Sequence, residues 1–228
     1  MKKCIFIIED RLKDMANFFI FLHELLLDTT VQSTGKNLTP DQVKVFFLHV
    51  CWDAETTDGA KGEFEKIYTA VKERVEKVTD ESAFQIEYHP ILWENNSYDQ
   101  GSSEKRGREI LEQINRLQKK ESDGTGAADD YVVLMDVILS DITDKDLRWL
   151  TEGNNIPTSC LYRELTGGRC IAYSKYPKAI ALENWKRLAG MDKDANVFPR
   201  IYLVRSRGIY LPLENKLHEI LGIARELS

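Results

Sequence analysis

Glu9 and Asp10 stand side by side at the end of the apolar run Ile5-Phe6-Ile7-Ile8, and Asp136 ends another, Val132-Val133-Leu134-Met135. Ser174 closes a third run, Ile171-Ala172-Tyr173, with a hydroxyl. Such positions carry chemistry because parallel α/β sheets gather their ligands beyond the carboxyl ends of the strands, where the strand order reverses. Three carboxylates brought together repel one another and raise each other's pKa values unless a cation lies between them. Hard oxygen ligands at that density suit Mg²⁺, which takes one or two carboxylates and keeps several waters. A carboxylate beside Mg²⁺ can also attack phosphorus and become an aspartyl phosphate. Taken singly, Asp136 also reads as a turn or helix-cap residue, and Ser174 as a cap for the helix after Pro177. Their chain order with Glu9-Asp10 is what points to a site.

The elements that would position these residues alternate. Short apolar runs at 4–8, 43–50, 131–139, 169–173 and 200–204 read as strands, with another inside 84–93 that Pro90 interrupts or ends. Helical periodicity fills 12–27, 62–78, 102–120, 177–188 and 213–227, with shorter pieces at 144–150 and 160–165. Pro177 suits a first helical turn. Alternation of this kind marks βαβ units, whose crossovers are right-handed and whose sheets are mainly parallel. The expectation is one doubly wound α/β domain over 1–228, with about six strands and helices on both faces.

Composition narrows the function classes. Hydrophobic residues make up 43% and charged residues 30%, an ordinary balance for a packed chain. The formal charge of -6 provides no general basic surface for nucleic acid. No apolar run nears the roughly 18 residues of a membrane span, and the amino-terminal run stops at Glu9 without a cleavage site. Cys4, Cys51, Cys160 and Cys170 form no C-x-x-C pair and read as reduced thiols of a cytoplasmic protein. The four histidines lack metal-ligand spacing. Gly124-Thr125-Gly126 precedes a strand instead of opening a helix, the wrong context for a dinucleotide fingerprint. Asp141, Asp144 and Asp146 read as caps of the next helix, and 104–108 as a solvated helix face.

Ile7-Ile8-Glu9-Asp10 with a helix after it resembles the opening of a response-regulator receiver domain of the CheY-like superfamily. Leu134-Met135-Asp136-Val137-Ile138-Leu139-Ser140 resembles that family's phosphoacceptor segment, with Ser140 where proline is common. Tyr202-Leu203-Val204-Arg205 resembles the segment that ends in a near-invariant lysine. The resemblance implies that Glu9, Asp10, Asp136 and the backbone carbonyl of Ile138 hold Mg²⁺. It further implies Asp136 as phosphoacceptor, Ser174 as phosphoryl contact and Tyr202 as switch aromatic. Three further positions depart from the family. Arg205 replaces the lysine with a planar fork, Ser206 follows it in place of proline, and Lys175 stands where a small residue is usual. Lys175 either supplies the missing ammonium or fills the pocket.

From Asp10 to Asp136 is 126 positions, more than two helices and one strand need. The excess is assigned to an added strand-helix unit at about 84–120, placed outside the second strand. A receiver order of 2-1-3-4-5 then becomes 3-2-1-4-5-6 and keeps the Glu9 strand beside the Asp136 strand. The resemblance implies a stand-alone, non-enzymatic receiver of a two-component phosphorelay. A histidine kinase or phosphotransfer protein would be its donor and an unknown downstream protein its target, without direct nucleic-acid or membrane contact. The alternatives are a degenerate receiver that binds partners without phosphorylation, and a Mg²⁺-dependent phosphohydrolase. The hydrolase reading needs an acid two residues after the nucleophile, where Ile138 stands.

Overall fold

The structure, a computed structural model, describes residues 3–12, 20, 43–51, 54–79, 85–93, 100–121, 131–137, 139, 156–165, 169–174, 180–192 and 197–199. Five parallel strands form the sheet: β1 (Lys3–Glu9), β2 (Val43–Cys51), β3 (Ile86–Leu92), β4 (Tyr131–Asp136) and β5 (Cys170–Ser174). Their order is β3-β2-β1-β4-β5, and a two-residue β6 (Phe198–Pro199) pairs with the outer side of β5. This is the order expected from the added strand-helix unit. The sixth strand read at 200–204 lies outside the described residues, as do the helices read at 144–150 and 213–227 and nearly all of 12–27.

The central strands are apolar along most of their length because both of their faces are covered, as parallel sheets require. On one face, Phe6 stacks on Phe46 with ring centroids 5.0 Å apart. Cys4, Ile8, Leu48, Val133 and Met135 join them in a cluster with Ile110, Ile114 and Leu117 of α2 (Gln100–Glu121). Leu161 of α3 (Pro157–Glu164) and Leu182 and Trp185 of α4 (Ile180–Leu188) complete it. On the other face, Phe47 meets Phe64 of α1 (Ala54–Thr79), and Phe64 packs on Tyr88 of β3 at 4.8 Å.

Three element boundaries differ from the sequence reading for identifiable reasons. The first, α1, begins at Ala54 instead of residue 62. Gly59 and Gly62 are exposed helical positions with nothing within 4 Å of a hypothetical Cβ. A glycine in an exposed helix weakens it by about 1 kcal/mol without breaking it. The second, β3, runs through Pro90 because it is the outer strand, where a missing N–H leaves no ladder bond unmade. The third, α3, starts at Pro157, where Ser159 Oγ accepts the Ile156 N–H at 3.2 Å and bonds back to the Ile156 carbonyl at 2.9 Å. That local exchange satisfies a helix start that pattern reading had put three residues later.

Two contacts tie α2 to its neighbours. Lys44 of β2 pairs with Glu87 of β3 at 2.7 Å and with Glu121 at the end of α2. Gly107 of α2 lies against α3, so closely that a Cβ there would stand 2.8 Å from the Pro157 carbonyl oxygen and 3.1 Å from the Leu161 nitrogen.

Candidate functional site

The strand order reverses between β1 and β4, since β2 and β3 follow on one side of β1 and β5 lies beyond β4. Ile8 is in register with Met135, so the next residues, Glu9 and Asp136, sit side by side and project to the same face. Asp10 follows at the strand end. One ligand oxygen from each of Glu9, Asp10 and Asp136 lies within 4.8 Å of the other two. Glu9 is 0% exposed and Asp136 2%. The structure thus brings together the three acids that the sequence singled out.

Glu9 is held from two directions. Its Oε1 accepts the backbone N–H groups of Asp10 (3.1 Å) and Arg11 (3.2 Å). Its Oε2 accepts the Tyr173 hydroxyl at 2.9 Å, and that hydroxyl also lies 3.3 Å from the Ile8 carbonyl oxygen. The Asp136 strand end is fixed as well. Val137 N donates to the Tyr173 carbonyl at 2.8 Å, and its own carbonyl accepts the Thr158 hydroxyl. Thr158 Oγ1 in turn accepts Trp185 Nε1–H at 3.0 Å.

Behind the acids lies a second polar group. His49 is in register with Glu9 and 6% exposed. A carbonyl oxygen only accepts, so His49 Nε2, 3.1 Å from the Asp10 carbonyl, carries the hydrogen. Nδ1 then accepts from the Tyr88 hydroxyl at 2.8 Å, and Cys51 Sγ lies 3.3 Å from the same nitrogen. Burial pushes the His49 pKa below its usual value, outweighing the bond to the Asp10 carbonyl that favours the charged ring. Burial likewise pushes the Tyr88 hydroxyl well above its ordinary value, so it stays a donor. His49, Glu9, Asp136 and Tyr173 form one register row across four strands.

The other sequence candidates fall differently. Ser174 is buried at the end of β5, one residue past the row, and strand alternation assigns it to the face opposite Asp136. Ile138, Lys175, Tyr202 and Arg205 lie outside the described residues. All four cysteines are buried thiols outside any disulfide. The sequence reading passed over Tyr173 and His49. The signal was their alternation, since each occupies the register position of an acid on a neighbouring strand, but register becomes visible only once strands are paired. Compared with known proteins, the chain matches no family model, no curated sequence and no solved structure.

Proposed function

We propose that the chain is a receiver-like signalling protein of a phosphorelay, with Asp136 as phosphoacceptor and Glu9, Asp10 and Asp136 as Mg²⁺ ligands. The observation that supports it is the convergence of three carboxylate oxygens within 4.8 Å at the point where the strand order reverses. The donor set fits the ion: hard carboxylate oxygens only, one each from Glu9, Asp10 and Asp136. Bound Mg²⁺ would offset the charge that builds on a transferring phosphoryl group. The carbonyl of Ile138 is proposed as a further ligand, while Ser174, which strand alternation assigns to the opposite face, is not part of the proposed site. Lys175 or Arg205 would supply the positive charge, and Tyr202 would report the change to a partner. The donor class is a phosphohistidine protein, a histidine kinase or phosphotransfer protein, and the output is a protein contact in the cytoplasm.

Asp136 would attack phosphorus with a carboxylate oxygen as the bond to the leaving group breaks. Incubation with Mg²⁺ and acetyl phosphate should therefore add about 80 Da, one phosphoryl group, by intact mass. Asp136→Asn should abolish the gain. A wild-type chain that gains nothing overturns the proposal.

The burial of Asp136 favours one second reading, a receiver-like module that binds its partner without phosphorylation. Its mark would be partner binding indifferent to Asp136→Asn and to Mg²⁺.

A further inference from the structure

We infer that Tyr173 is a positioning residue for the acid cluster, holding the Glu9 carboxylate in the orientation from which it meets Asp10 and Asp136. The inference rests on the Mg²⁺-binding part of the reading above and is independent of phosphoryl transfer. Tyr173 is in register with Asp136, yet its hydroxyl bonds to a residue of β1, two strands away. The ring therefore spans the β4 strand on the face that Glu9 and Asp136 share. The Glu9 carboxylate is nearer than the Ile8 carbonyl, at 2.9 Å against 3.3 Å, and charged, so it is the stronger of these acceptors for the phenolic hydrogen.

With the Asp10 and Arg11 amides on Oε1 and the phenol on Oε2, both oxygens of Glu9 are anchored and the carboxylate plane is set. A ligand already fixed in place loses no rotamer freedom when an ion arrives. Partners that orient metal-binding carboxylates in this way typically change metal affinity by 10–100-fold. A tyrosine that merely fills the core would also seek a partner for its hydroxyl. Such a residue would affect stability and leave metal affinity alone, and that difference separates the two roles.

The test is Mg²⁺ titration by calorimetry on the full chain, comparing wild type, Tyr173→Phe, Glu9→Gln and the double variant. Phenylalanine keeps the ring and removes only the donor. The inference expects Tyr173→Phe to weaken Mg²⁺ binding about tenfold or more, and to add nothing further in the Glu9→Gln background, because Tyr173 acts through Glu9. Equal or tighter binding by Tyr173→Phe overturns it while leaving the Mg²⁺ reading intact. A wild-type chain that binds no Mg²⁺ overturns both. Should Tyr173→Phe unfold without metal, recovery at the wild-type Mg²⁺ concentration counts against positioning, and recovery only at tenfold more supports it.

Discussion

At the scale of single residues, the acid cluster sets metal affinity against stability. Glu9 and Asp136 are buried side by side, and Asp10 adds a third carboxylate within 4.8 Å. Like charges at that spacing oppose folding in the absence of a cation. Asp136→Asn is therefore expected to raise the melting temperature in chelator by roughly 2–4 °C, the shift that about 1 kcal/mol produces in a chain of this size. The same variant should lose the stabilisation that Mg²⁺ gives the wild type, about 1.4 kcal/mol at ten times Kd. Thermal melts with and without Mg²⁺ check both, and an unchanged chelator melt would remove the repulsion argument. The acids themselves were legible in the sequence because a charged residue ending an apolar strand is conspicuous. Tyr173 was read only as part of the run before Ser174, since its reach over β4 to Glu9 is a property of paired strands.

Helices and strands carry predictions of opposite sign. Gly107 and Gly62 both sit inside helices, but a Cβ added at Gly107 would stand 2.8 and 3.1 Å from backbone atoms of α3, while one at Gly62 would meet open space. Gly107→Ala should destabilise by about 1–3 kcal/mol, because α2 and α3 must move apart. Gly62→Ala should stabilise by about 0.5–1 kcal/mol through helix propensity alone. Urea unfolding distinguishes them, and a stable Gly107→Ala would mean that the helix pair gives way freely. The Lys44 ion trio gives the pH dependence. Burial alone would lower the Lys44 pKa, yet the Glu121 and Glu87 partners outweigh it and raise it. Burial would raise the Glu87 pKa, yet Lys44 outweighs it and lowers it. The raised lysine contributes below its unfolded value near 10 and loses that contribution as pH climbs through the folded value. The lowered carboxyl contributes above about pH 4 and loses it as pH falls. Lys44→Met should thus lose up to roughly 1 kcal/mol at pH 7, with the gap to wild type narrowing towards pH 3.5. A gap that persists in acid would assign the effect to lost packing over Phe46, which Lys44 Nζ approaches at 5.5 Å.

Across the whole molecule, strand order was the most legible feature. Strands buried on both faces read as unbroken apolar runs, and chain length placed the added unit outside β2, as the β3-β2-β1-β4-β5 order has it. Boundaries were less legible. Pro90 ends a strand only if that strand needs every amide, and whether it does depends on its place in the sheet. The same order predicts amide protection. Exchange should be slowest in β1 and the strands flanking it, β2 and β4, where Ile5, Phe6, Phe46, Phe47, Val132 and Val133 are fully buried. It should be faster in β3, whose side chains are all half-buried or exposed from Glu87 onward. Equal protection in β3 and β1 would show that the edge is covered.

The central place of β1 has a consequence for synthesis. Its β2 partner leaves the ribosome early, but its β4 partner, which carries Asp136, follows only after 126 positions beyond Asp10 have been made. Until then one side of Cys4, Phe6 and Ile8 faces no neighbour. A nascent chain that presents such an unpaired apolar edge invites chaperones and mispairing with its own kind. The segment that closes this edge is also the one that completes the acid cluster. A chain able to gather the three carboxylates is therefore one whose most vulnerable strand has already been sealed.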